Sequence, residues 1–169
     1  MAACAPSDPE FGIQLEALSI DPVRDTLQVR ARQRIDLSRE ARKALRAGVP
    51  LRFRLDVALK REGQWRAGSR ERFVYELRYL PLSQRYQLSG PDAETPPTSY
   101  PRLRHALAAM QAIDLSLDAP VETGRPMTLR MRSRLDQAAL PGPMQLPVML
   151  SADWQHDSGW LSHEFSPGG

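Results

Sequence analysis

Residues 50–60 read PLRFRLDVALK, and they alternate almost without exception. Leu51, Phe53, Leu55, Val57 and Leu59 fall on one side of an extended chain, with Arg52, Arg54, Asp56 and Lys60 on the other. A period of two is the mark of a strand with one buried and one wet face, because successive side chains of extended backbone point to opposite sides. The same pattern recurs to either side. In TLQVRARQRIDL (26–37), Leu27, Val29, Ala31, Ile35 and Leu37 oppose Arg30, Arg32, Arg34 and Asp36. In PMTLRMRSRLD (126–136), Met127, Leu129, Met131 and Leu135 oppose Arg130, Arg132 and Arg134. RFVYELRYLPLSQRYQL (72–88) begins with Phe73, Tyr75, Leu77 and Tyr79 on one face and changes phase at Leu80-Pro81-Leu82. A proline at a phase switch predicts a bulge or bend in an edge-like strand, since it cannot donate to the ladder. Weaker strands are predicted over 13–17, 115–117 and 148–150.

Two segments carry helical signals. Ser38 is an N-cap for REARKALRA, with Glu40 in the first turn, Gly48 closing the helix and Pro50 beyond it. Ser99 is placed to cap a second helix, with Pro101 in its first turn and Leu103, Ala106, Leu107 and Met110 as the buried stripe. Residues 61–68, 90–98 and 137–147 read as loops. Pro141, Pro143 and Pro147 argue against a helix anywhere in 138–150. One polar face per long strand favours antiparallel pairing over a parallel sheet buried on both sides. The expected fold class is α+β, mainly β: an antiparallel sheet or β-sandwich with two packed helices. Its expected extent is a single domain over 11–166 behind a flexible tether, 1–10.

Composition suits a folded chain of 169 residues, with 41% hydrophobic and 25% charged residues. No apolar run approaches the ~18 residues of a membrane span. All 23 Lys and Arg lie between residues 22 and 136, leaving both ends acidic, and only Lys43 and Lys60 are lysines. A G+C-rich genome accounts for such arginine usage; selection for an anion-binding surface is the functional alternative, since guanidinium suits phosphate and carboxylate.

No phosphate loop, dinucleotide fingerprint, nucleophile elbow or zinc-protease helix occurs, so the sequence nominates neither a catalytic residue nor a cofactor. A single cysteine excludes a disulfide framework and a multi-cysteine zinc site. His105 reads as a solvated side chain. WQHDSGWLSHEF (154–165) gathers His156, Asp157, Ser158, His163 and Glu164 near Asp153. Adjacent residues rarely orient one another as a catalytic triad, and the spacing matches no metal site, so a structural role is expected, with Trp154 and Trp160 as core or rim anchors. The R-x-R faces are more distinctive. If their strands are neighbours, Arg30, Arg32, Arg34, Arg52, Arg54, Arg130, Arg132 and Arg134 form one face of eight guanidiniums. Like charges directly opposite are destabilising, so such a face implies either interleaved acids (Asp36, Asp56, Glu76) or an anionic partner. Nucleic acid is disfavoured as that partner, because the strand aromatics fall on the core side rather than among the bases.

The order of features from Leu51 to Trp160 resembles the DUF4390 family of exported bacterial proteins. The resemblance lies in W-R followed by FVYELRYLPLSQRYQL, the helix SYPRLRHALAAMQAI, and LRMRSRLDQAALPGPMQL running into DW and SGW; Ser162-His163-Glu164 stands where another aromatic is expected. The family carries no established activity, cofactor or site residue. It implies an exported protein and, by association, the extracytoplasmic part of a membrane sensor histidine kinase as partner.

Met1-Ala2-Ala3-Cys4 bears on location. Bacterial lipoprotein precursors are cut before a cysteine that follows an aliphatic and two small residues, so Cys4 is the expected lipidated residue, with Met1 an installed start on a shortened precursor. Ala5 after the cysteine favours the outer membrane. The expectation is a periplasmic, non-catalytic cell-envelope domain that mediates protein–protein interaction. Its alternatives are an envelope enzyme or metal-binding protein using 156–164, and a binder of anionic lipid or polymer through an arginine-rich sheet face.

Overall fold

A computed structural model describes residues 11–23, 26–61, 68–92, 94–118 and 124–166. Cys4 and the tether 1–10 lie outside the described residues, as does most of the predicted loop 61–68. Among the described residues, nine strands form two antiparallel sheets. The smaller sheet has β1 (Gly12–Val23), β2 (Thr26–Asp36) and β7 (Ala112–Asp118) in the order β1-β2-β7. The larger has β3 (Leu51–Arg61), β4 (Ser69–Leu80), β5 (Arg85–Ser89), β6 (Thr98–Tyr100), β8 (Met127–Leu135) and β9 (Leu161–Phe165), in the order β6-β5-β4-β3-β8-β9. The chain thus passes from one sheet to the other after β2, returns for β7 and crosses back for β8. Three helices accompany them: α1 (Arg39–Arg46), α2 (Leu103–Ala109) and α3 (Gly142–Leu150). The protein is mainly β, with two antiparallel sheets that are not closed.

The alternating stretches bury the side that their pattern assigns. Leu27, Val29 and Ala31 of β2 and Ile113, Leu115 and Leu117 of β7 pack against Leu55, Val57 and Leu59 of β3 and Met127, Leu129 and Met131 of β8. A second cluster gathers Ile35, Leu37, Leu45, Leu51, Phe53, Leu77, Met110 and Leu135 at the helical end. Between the two clusters sits a polar clasp. Gln33 of β2 and Ser133 of β8 occupy inward positions and are each 1% exposed. The Ser133 hydroxyl donates to Gln33 Oε1 at 2.7 Å, and Gln33 Nε2 donates to the Met110 carbonyl at 2.8 Å. The two sheets are joined here by hydrogen bonds rather than by apolar contact, with every partner satisfied as burial demands.

Several local expectations are corrected. Leu80-Pro81-Leu82 is not a bulge in an edge strand. Residues 81–84 form a turn, and β5 folds back on β4 as an interior strand with Tyr79 opposite Tyr86. The phase change is the register resetting across a hairpin, and Gln84 takes the left-handed conformation (φ 52°) that closes it. Ser99 does not cap α2; it lies in β6, and the helix starts after Arg102 without a side-chain cap. Residues 142–150, read as loop and strand, form α3. Pro143 stands in the first turn, where no N–H is needed. Pro147 removes one helical bond, but buried Val148 and the packing of Met144 on the core offset that loss. Gln145 Nε2 donates to the Ala138 and Leu140 carbonyls and ties the helix to the preceding turn. By contrast, α1 follows its signals: Ser38 Oγ accepts the Ala41 N–H at 3.1 Å, Ala41, Ala44 and Leu45 are buried, and Gly48 (φ +91°) ends it.

Candidate functional site

The eight arginines do not share a face. Arg30, Arg32 and Arg34 lie on the outer side of the three-stranded sheet, and the other five lie on the outer side of the six-stranded sheet, across the core. The first group is matched by acids. Arg30 pairs with Asp21 at 3.1 Å and stands opposite Asp114, Arg32 stands opposite Glu16, and Arg34 pairs with Asp36 at 2.7 Å. This is a solvated, charge-alternating strand face of the kind that contributes little beyond solubility.

The larger sheet concentrates cations more densely. The registers of β4, β3 and β8 bring Arg72, Asp56 and Arg132 into one row and Arg70, Ala58 and Arg130 into the next. Asp56 is the hub. Its carboxylate accepts Arg72 Nε at 2.8 Å and Arg134 at 3.2 Å, with Arg54 at 3.7 Å. Arg54 also lies 3.6 Å from Asp136. Glu76 accepts Arg52 at 2.7 Å and Arg78 at 2.6 Å, and Asp157 takes a two-pronged contact from Arg132. Burial pushes the Asp56, Glu76 and Asp157 carboxyls up. The guanidinium hydrogen bonds and charges outweigh it and hold all three below their ordinary values. Interleaved acids therefore neutralise much of this face, as an unpartnered row of arginines would require.

At one corner cations outnumber acids. Lys60 and Arg70 have no acid partner among the described residues, and with Arg72, Arg130, Arg134, Trp160 and the acids Asp56 and Glu71 they border a cleft of 490 Å³. Trp160 is 44% exposed and lies under two guanidinium groups, with Arg130 Cζ 4.8 Å and Arg132 Cζ 5.9 Å from the ring centroid. Such stacking holds the planar cations in place; Arg132 donates to Asp157 as well, whereas Arg130 has no acid partner among the described residues. The basis of this arrangement was partly legible. The arginines follow from alternation, but Lys60, Arg70 and Trp160 converge only through strand pairing and the short link from Asp157 to β9.

The 156–164 segment does not converge. His156 is 1% exposed and points inward, where Nε2 accepts the Ser38 N–H at 3.0 Å beneath the Phe11 ring. His163 and Glu164 are consecutive residues of β9, which places them on opposite sides of the strand, and Asp153 is exposed. Among the described residues no group of three or more His, Cys, Asp and Glu could hold a metal ion. His156 is instead a fastener between β2–α1 and the C-terminal segment. It acts with the Leu135 N–H, which donates to the His156 carbonyl at 2.8 Å.

That fastener titrates. Burial pushes the His156 imidazole down, with the Trp154 backbone and the Asp153 charge pulling the other way. A folded pKa below the unfolded value of ~6.5 means the unfolded chain takes up the proton first, so this contribution is complete above ~6.5 and is lost as pH falls below it. The free energy of unfolding, from denaturant titrations, should decline below about pH 6.5 by at most about 1.4 kcal/mol per pH unit from this group. His156→Asn should be less stable at neutral pH yet flatter through the same window. Equal slopes for the two proteins would remove His156 as the source.

The molecule is an open pair of antiparallel sheets, with one acid-matched outer face and one arginine-dense outer face that carries an exposed tryptophan near its β9 edge. The chain belongs to the family described as Domain of unknown function (DUF4390), whose model matches residues 10–164. Neither the curated proteins nor the solved structures gave a match to it.

Proposed function

We propose that this protein is a non-catalytic binding domain of the bacterial cell envelope that holds an acidic protein partner on the outer face of its larger sheet. The observation that carries the reading is Trp160, exposed beneath two guanidiniums and bordering the same cleft as Lys60 and Arg70, which have no acid partner among the described residues. Tryptophan and arginine dominate the energetic centres of protein interfaces, where a planar anchor is ringed by groups that exclude water. The partner that the family resemblance implies, by association, is the extracytoplasmic part of a membrane sensor kinase. Periplasmic location and lipidation at Cys4 belong to the same proposal, resting on the Ala2-Ala3-Cys4 sequence.

A photoreactive side chain at position 160, in protein exported from its full precursor, tests it. A discrete adduct is expected from position 160, none from position 32 on the acid-matched face, and loss of the adduct with Lys60→Glu and Arg70→Glu. Equal labelling from both positions, or none from 160, would remove the outer face of the larger sheet as the binding surface.

A further inference from the structure

α3 turns its apolar side to solvent. Leu146, Met149 and Leu150 are 75%, 65% and 89% exposed, and Pro143 and Pro147 beside them are exposed as well. The spacing 143, 146, 147, 150 puts one ridge of apolar side chains along a single helix face. Only Val148 and, in part, Met144 face the core. A contiguous exposed apolar ridge is a contact surface that the fold itself does not use.

A second helix carries a stripe of opposite character. Arg39, Arg42, Lys43 and Arg46 take the i, i+3, i+4, i+7 positions of α1, opposite the buried Ala41, Ala44 and Leu45. None of the four has an ion-pair partner among the described residues, and together they flank a 610 Å³ groove floored by Phe11 and Leu37. α1 and α3 both pack against the turn at 152–154, whose Trp154 belongs to the same core cluster as Leu45 and Val148. These cations, without acid partners among the described residues, and the exposed apolar ridge therefore both lie at the helical end of the two sheets.

We infer that this end docks on an anionic lipid bilayer, with Leu146, Met149 and Leu150 entering the boundary between headgroups and acyl chains and the α1 cations meeting lipid phosphates. Charge complementarity selects the anionic surface. Leu146 and Leu150 project into solvent rather than lining a pocket, which suits a fluid apolar layer better than a shaped protein cavity. Interfacial binding elsewhere combines the same two contributions, buried apolar area and attraction to anionic headgroups. This inference does not depend on Trp160 or on lipidation of Cys4.

Flotation of the purified, non-acylated full chain with vesicles tests it. Vesicles of phosphatidylcholine containing a minority of phosphatidylglycerol should carry the protein, and pure phosphatidylcholine vesicles should carry at least about tenfold less. Leu146→Glu/Leu150→Glu and Arg42→Glu/Arg46→Glu should each reduce anionic-vesicle binding by about tenfold or more with unchanged thermal unfolding. Arg130→Glu, on the outer sheet face, should bind vesicles like wild type while still disturbing the protein contact proposed above. No flotation of wild type would overturn the inference, as would equal binding by the Leu146/Leu150 variant. A wild-type dimer that becomes monomeric with that variant would overturn it too, because the occupant of the ridge would then be a second copy of the chain.

Discussion

Gln33→Leu is expected to lower the free energy of unfolding by about 3 kcal/mol, and adding Ser133→Ala is expected to recover roughly half of that loss. Leucine matches the pattern of its strand and adds apolar surface, so hydrophobicity alone would forecast a gain. The opposite sign follows from what the amide leaves behind. Its Nε2 satisfies the Met110 carbonyl and its Oε1 satisfies the Ser133 hydroxyl, both within the closed core. Each group stripped of its partner there costs about 1–3 kcal/mol. Removing the serine hydroxyl as well leaves only the carbonyl stranded, so the two substitutions should couple strongly in a double-mutant cycle. Urea unfolding of the four proteins measures it. A single-variant loss under about 1 kcal/mol, or strict additivity, would mean that the clasp does not hold the sheets together.

Asp56→Asn should cost about 2 kcal/mol at neutral pH, with a pH signature that separates charge from packing. The carboxylate is only 16% exposed and is shared by Arg54, Arg72 and Arg134. Asparagine keeps the shape and one acceptor but leaves Arg72 and Arg134 crowded without this counter-charge, and Arg54 with Asp136 alone. Because the folded pKa of Asp56 lies below its ordinary value, the stabilisation it gives is present above ~3.9 and is lost as pH falls through the folded pKa. The gap between wild type and variant should therefore be widest near neutrality, narrow below about pH 4, and shrink with added salt. A gap of the same size at acid and neutral pH would assign the effect to packing instead.

Much of the fold can be read from single strands. Alternation in 26–37, 50–60 and 126–136 marks the inward side chains, and even the clasp leaves a trace, since Gln33 and Ser133 are the two polar interruptions on otherwise apolar faces. That they meet each other could not be read, because the contact joins positions a hundred residues apart through the packing of two sheets. The arginines show the same limit. Their outward direction is a property of each strand, but assigning Arg30, Arg32 and Arg34 to one sheet and the other five to the opposite one needs strand order. α3 escaped notice for a different reason: its prolines argue against a helix locally, and tertiary packing of Val148 and Met144 overrides them.

By itself, the sequence determined which side of each long strand is buried, where α1 begins and ends, and that the pairing is antiparallel, because these follow from backbone periodicity and capping within a dozen residues. Only the tertiary structure decided which charges are neutralised and which stand free. An ion pair forms or fails according to which strand lies alongside, so Asp56 became a hub while Lys60, Arg70 and the α1 cations were left without acid partners among the described residues. Trp160 likewise became an exposed anchor rather than core because β9 pairs on the outer edge of β8, setting its ring beneath Arg130 and Arg132.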